Sequence, residues 1–218
     1  MGGSRSVQVV AVIAAVVVVA GLTFAYFKRT NNTDSAQSAG DGGMRCGTTV
    51  CQVVIGKSVG KDLVELLAGT GGGRIRVTGE SGPFIFEMTI AESGATVTGD
   101  SLECTEAPVS VCLVRGDRDG EVLGEVLVRK DGTWSRVQAA YLASAGYIGL
   151  HDVNEDGTAD IVAAQLACDG KCRNAFVQVF SAIGPDLGCT AAAQERNQLP
   201  GWPAPVPKMS QLRPCATN

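Results

Sequence analysis

Apolar positions fall into two unlike patterns along this chain. Between 7 and 27 they run almost without a break, with Gln8 near one end and Thr23 near the other as the polar exceptions. About twenty residues at a rise of about 1.5 Å cover roughly 30 Å, the thickness of a bilayer's hydrocarbon core. In lipid every backbone N–H and C=O must be satisfied within the segment, and for a single segment only a helix does that. One N-terminal transmembrane helix at 7–27 is therefore predicted, preceded by a cytoplasmic leader at 1–6 and edged by Tyr26, Phe27, Lys28 and Arg29 at the interface. The alternative is a cleaved signal peptide. Its apolar core is usually shorter and ends at a small-x-small site, whereas Thr23-Phe24-Ala25 is a poor site after a longer run, so a retained anchor is the preferred reading. From 28 to 45 Asn, Asp, Ser, Gln and Gly dominate, too polar to offset the entropy of ordering. This stretch reads as a flexible stalk.

The second pattern fills 46–218. Short Val-rich or alternating runs at 50–55, 74–78, 84–89, 95–98, 109–114, 121–128, 134–139 and 176–181 are separated by glycine-containing turns, the mark of strands. Lys130-Asp131-Gly132-Thr133 between two alternating runs is a hairpin signal. One short helix is expected at 61–68, where Lys61, Asp62, Glu65 and the leucines are spaced as on a helix face and the run stops at Gly69. Beyond 184, Pro200, Pro203, Pro205, Pro207 and Pro214 exclude long regular elements. The expectation is an all-β domain over 46–218, a compact β-sandwich or open barrel.

Composition sharpens the picture in two respects. The formal charge of −4 is spread unevenly: after Arg45 there are 14 basic and 20 acidic residues, with no basic, aromatic-studded face, so nucleic acid is not an expected partner. All eight cysteines lie after residue 45, and the only histidine is His151. Two Cys-x-x-Cys knuckles are not formed, so disulfides are favoured over zinc. Each neighbouring pair brackets a turn, which points to Cys46 with Cys51, Cys104 with Cys112, Cys168 with Cys172 and Cys189 with Cys215. Disulfides belong outside the reducing cytosol. They resolve the orientation that nearly balanced flanking charges leave open: N-terminus cytoplasmic, 46–218 extracytoplasmic, the whole a single-pass protein of the cell membrane.

The densest group of hard oxygen ligands is His151-Asp-Val-Asn-Glu-Asp-Gly-Thr-Ala-Asp-Ile161. Asp152, Asn154, Asp156 and Asp160 fall at positions 1, 3, 5 and 9 of a calcium-loop spacing, the carbonyl of Thr158 at position 7, and Gly157 at the sharp turn. Position 12, where an EF-hand places a bidentate glutamate, is Ala163, so this is not an EF-hand. An acidic surface turn is the simpler alternative, but carboxylates packed this closely repel one another unless a cation neutralises them. With apolar residues at 147–150 and 161–164, the loop is expected to join two strands. Asp-x-Asn-x-Asp-Gly-x-x-Asp between strands resembles the calcium loops of FG-GAP and VCBS-type repeats over about a dozen residues, which implies a calcium-stabilised extracellular β-structure and no reaction. The pattern recurs only as the fragment Asp117-Arg118-Asp119-Gly120, so a complete propeller of similar blades is not expected. The layout of anchor, stalk, cystines and short strands also resembles uncharacterised single-pass surface proteins of high-GC bacteria.

No catalytic constellation stands out. His151 with Asp152 and Ser135 or Ser144 would be a triad only by geometry, and there is no Gly-x-Ser-x-Gly elbow. Arg115-Gly116-Asp117 spells an adhesion tripeptide of a kind that turn composition readily produces. The expected function is a non-enzymatic, membrane-anchored extracytoplasmic binding or interaction domain with a structural calcium ion, recognising an extracellular protein or cell-wall ligand. An extracellular hydrolase and an inert envelope spacer are the alternatives.

Overall fold

Val64, Leu66, Ile75 and Val77 fall at alternate positions of two adjacent strands, and all four are fully buried. This period of two builds the first of three larger antiparallel sheets, which a separate two-stranded ladder precedes. The computed structural model describes residues 43–138, 140–167 and 173–215. The expected membrane span at 7–27, most of the stalk and the Cys168–Cys172 pair lie outside them. Among the described residues no helix is long and apolar enough to cross a membrane.

A two-residue hairpin, β1 (Arg45–Cys46) with β2 (Thr49–Val50), leads into a four-stranded meander: β3 (Gln52–Val59), β4 (Asp62–Gly69), β5 (Gly72–Gly79) and β6 (Phe84–Glu87). After a four-residue helix α1 (Thr89–Glu92), the second sheet is built from β7 (Leu102–Thr105), β8 (Ser110–Arg118), β9 (Glu121–Lys130) and β10 (Thr133–Arg136). In this sheet β11 (Tyr141–Ala143) also pairs with β9, beyond the end of β10. The third sheet is β12 (Tyr147–His151), β13 (Asp160–Leu166), β14 (Ala175–Phe180) and β15 (Gly188–Cys189).

The all-β class is what the alternating runs predicted, but the layering is richer than a two-sheet sandwich. Strands β8 and β9 are apolar on both faces: Cys112, Val114 and Leu127 pack toward the first sheet, and Val111, Leu113, Val126 and Val128 toward the third. The second sheet is thus the middle layer of three. The far face of the third sheet, with Val162, Ala164, Val177 and Val179, is covered by Leu187, Leu199, Trp202 and Leu212 of the C-terminal tail. Among the described residues no sheet closes on itself.

One correction concerns the helix expected at 61–68. That stretch is strand β4, entered through a tight turn at Gly60 (φ 61°) and left through Gly71 (φ 81°). Strand pairing on both sides overrides the weak helical spacing, and the Leu66–Leu67 doublet divides between the interior and the β1–β2 hairpin side. The run at 95–98 gives only an isolated bridge, Thr96 to Asp117. The Asp131-Gly132 turn has both residues at positive φ, 52° and 74°, and joins β9 to β10 as predicted. Three of the expected disulfides, Cys46–Cys51, Cys104–Cys112 and Cys189–Cys215, are formed.

Two buried carboxylates tie the layers together. Asp62 of β4 accepts hydrogen bonds from the Ser81 amide (2.9 Å) and hydroxyl (2.5 Å), from Trp134 Nε1 (2.9 Å) and from Arg129 Nη1 (3.3 Å), the last two belonging to the second sheet. Glu125 of β9 accepts the amide of Thr89 at 2.8 Å and the Thr89 hydroxyl, holding the start of α1 against the middle sheet. Burial pushes the Glu125 carboxyl up.

Candidate functional site

The sequence placed the 151–161 loop between two strands, and in the fold it joins β12 to β13. Strand β12 ends at His151, β13 begins at Asp160, and these two residues face each other in register at the mouth of the turn. The intervening chain doubles back through Glu155 (φ 58°) and Gly157 (φ 84°). Glycine adopts such a conformation freely, whereas Glu155 holds it at a cost of about 1 kcal/mol.

Side chains of the loop are organised around its own amides. Asp152 accepts from the N–H of Asp156 (3.0 Å) and of Gly157 (2.9 Å). Asn154 accepts from the Asp156 amide (3.1 Å) and donates to the Asp156 carboxylate (2.8 Å), which in turn accepts from Thr158 N (2.8 Å). Hydrogen bonds from Asn154 and Thr158 hold the Asp156 carboxyl below its usual range. Asp160 differs from the others. Its side chain is 1 % exposed, Oδ2 accepts from Val153 N at 3.1 Å, and Oδ1 is buried without a hydrogen-bond partner. Burial, reinforced by the charges of Asp156 and Asp152, pushes its carboxyl up to about 6 against the pull of the Val153 and Asn154 amides.

This geometry bears on whether the loop suits a cation. Among the described residues no three His, Cys, Asp or Glu side chains converge on one point as a metal centre would require. The predicted ligand residues Asp152, Asn154 and Asp156 are brought together through shared amides, and Asp160 closes the loop from the β13 side. All the side-chain donors are hard oxygens, the class that suits calcium rather than zinc or copper. A buried carboxylate oxygen lacking a partner costs free energy unless a hydrogen bond or a cation compensates it. The donor chemistry and the unpartnered Asp160 Oδ1 are compatible with a calcium ion, although the acidic side chains of the described residues are not gathered into a group that could hold one.

At the start of β12, away from the loop, a cleft of about 280 Å³ opens between the turn at 98–101, the stretch 115–117 of β8 and residues 146–148. Arg115 lines it and spans two layers. Its Nη1 donates to Glu103 Oε2 (2.6 Å) and to the carbonyl of Ile148 (3.2 Å), while Glu103 Oε1 accepts from Leu150 N (3.4 Å). The Arg115–Glu103 pair thus occupies the outward backbone groups of edge strand β12, a protection against edge-to-edge pairing. Sequence inspection does not single out this pair as such, since its function depends on a contact between β8 and a strand more than thirty residues away.

Arg115 and Asp117 both lie within β8 rather than in an exposed turn, and Arg115 is committed to Glu103 and Ile148. The fragment Asp117-Arg118-Asp119-Gly120 forms the β8–β9 hairpin, with Asp119 and Gly120 at φ 52° and 88°. The His151 ring contacts the Tyr147 hydroxyl at 2.8 Å from Nε2. Burial lowers the pKa of His151, opposed by Glu103. Ser144 bonds to Gln165 and to the amide of Leu166, and among the described residues no serine hydroxyl meets His151. Comparison of the chain with models of protein families, with curated proteins and with solved structures finds no match.

Proposed function

We propose that this protein is a membrane-anchored extracytoplasmic binding domain whose β12–β13 loop is tied by a structural calcium ion. The observation that carries the reading is Asp160: a carboxylate buried at the mouth of the turn, with one oxygen lacking a partner and two further carboxylates close enough to raise its pKa. When bound, calcium supplies charge neutralisation. The chain's own residues supply the shape, through amides that hold Asp152, Asn154 and Asp156 in place before any ion arrives. The disulfides, the apolar run at 7–27 and the polar stretch after it support an extracytoplasmic position with the N-terminus inside. The partner would be an extracellular protein or cell-wall component, and nothing in the charge distribution favours nucleic acid.

Calcium is expected to raise the melting temperature. Without a bidentate position-12 ligand the affinity belongs to the weak extracellular class, with Kd on the order of 10⁻⁴–10⁻³ M. At about ten times Kd the mass-action gain is about 1.4 kcal/mol, or about 3–5 °C for a domain of this size. Asp156→Ala should abolish most of the calcium-dependent rise, and magnesium should do less than calcium. Equal melting temperatures in chelator and in several millimolar calcium, at fixed ionic strength, would reduce the loop to an acidic turn. The anchor has its own check: the full-length protein should stay with membranes through high-salt and carbonate washing. Release of a soluble species beginning near Tyr26 would identify 7–27 as a signal peptide.

A further inference from the structure

Arg115, Asp100 and Asp117 surround a cleft that the calcium loop does not use, and its chemistry is specific enough to name a ligand class. We propose that this cleft binds a single saccharide unit, neutral or amino-substituted. The inference deepens the binding-domain reading and rests on it.

The walls combine buried Val122 and Ile148 with the polar side chains of Thr98, Asp100, Ser101, Arg115 and Asp117. Donors and acceptors are interleaved on those walls. Arg115 makes both of its protein hydrogen bonds through Nη1, so the guanidinium is fixed in place while the N–H groups of Nε and Nη2 have no protein acceptor among the described residues. The hydroxyl of Ser101 accepts from Thr98 N at 2.7 Å, and that of Thr98 accepts from Asp100 N at 3.3 Å. Each hydroxyl is oriented by the backbone and keeps its proton to donate. The carboxylates of Asp100 and Asp117 are exposed acceptors that no protein group donates to among the described residues.

A sugar hydroxyl is both donor and acceptor, and adjacent hydroxyls match such a mixed surface. An apolar ligand would strip water from these groups without replacing its hydrogen bonds. An anion would be repelled, because of the charged residues lining the cleft Asp100 and Asp117 are unpaired among the described residues while the charge of Arg115 is already matched by Glu103. The volume is at the small end for ligand clefts, which limits the occupant to about one ring.

The test uses the full-length protein in detergent micelles with calcium present, titrated with glucose, N-acetylglucosamine and glucosamine, and with glucuronate and lysine amide as charged controls. At least one of the first three should shift the backbone amide resonances of 98–101, 115–117 and 146–148, with a Kd in the millimolar range. Asp100→Asn with Asp117→Asn should weaken that response at least tenfold while leaving the melting temperature unchanged, since neither carboxylate is bonded to any of the described residues. Absence of shifts at 100 mM of every sugar would overturn the proposal, as would preferential binding of glucuronate or lysine amide, or shifts confined to other residues. Sugar binding without calcium stabilisation would remove the calcium from the proposed function and leave the saccharide site standing. Calcium stabilisation without sugar binding would do the reverse.

Discussion

Replacing Asp62 by alanine is expected to lower the stability of the β-domain by about 3–5 kcal/mol, the range for breaking a buried, paired charge. The side chain is 0 % exposed and receives four hydrogen bonds, two from Ser81 and one each from Trp134 and Arg129. Without it, the buried Trp134 indole loses its acceptor at the junction of the first two sheets and Arg129 keeps only the Val59 carbonyl (3.4 Å), and a buried donor left unsatisfied carries its own desolvation cost. Burial alone would raise the carboxyl pKa, but the Ser81, Trp134 and Arg129 donors together outweigh it and hold the group well below the usual carboxylate range. A depressed folded-state pKa stabilises the fold above the unfolded value of about 4, and that stabilisation is lost as pH falls toward the folded value. Chemical denaturation followed by circular dichroism should show the wild type losing stability steeply below about pH 4 and Asp62→Asn losing less over the same interval. Parallel pH curves for the two proteins would mean that Asp62 is not the ionised hub of the junction.

Asp62 also marks where sequence reading runs out. Local features were legible because local chemistry dictates them. An Asp-Gly pair at positive φ makes a hairpin wherever it falls between alternating runs, and cysteines bracketing a turn have little choice of partner. The loop's spacing from Asp152 to Asp160 was legible for the same reason. What the spacing could not show is that Asp160 stands opposite His151 at the end of a ladder, and is buried on that account. The misread stretch at 61–68 has the same cause. Its leucines and charges satisfy both a helical and an alternating count, and only pairing with β3 on one side and β5 on the other decides between them. The three-layer arrangement needs β8 and β9 to be apolar on both faces, which a run such as Val111-Cys112-Leu113-Val114 displays without saying what lies on either side. The contacts between layers, Asp62 with Trp134 and Arg115 with Ile148, join residues 72 and 33 positions apart, and no periodicity reports them.

The C-terminal tail supplies the other large effect. Here a covalent bond does what packing alone does weakly. Residues 184–215 contain one two-residue strand and two short 3-10 turns, Arg196–Gln198 and Met209–Gln211. They nevertheless cover the outer face of the third sheet through Leu187, Leu199, Trp202 and Leu212. The Cys189–Cys215 bridge, with a sequence separation of 26, fixes the far end of this cover, aided by the two backbone hydrogen bonds between Cys189 and Arg213 (2.8 and 2.9 Å). On the loop-entropy model, closing a loop of that length is worth about 3.5 kcal/mol, against about 2 kcal/mol for the short Cys46–Cys51 loop. Replacing both Cys189 and Cys215 by serine is therefore expected to destabilise the domain more than the same change at Cys46 and Cys51. The effect should also be localised, because releasing the tail uncovers Val162, Ala164, Val177 and Val179 while the two interfaces between sheets remain closed. Limited proteolysis should cut first within 190–215 in the Cys189→Ser, Cys215→Ser protein, and binding of a hydrophobic dye should rise before the β-sheet circular dichroism signal falls. If proteolysis of that variant instead begins in the first two sheets, or dye binding and loss of sheet structure coincide, the tail is no separable cover and the bridge stabilises the domain as one unit.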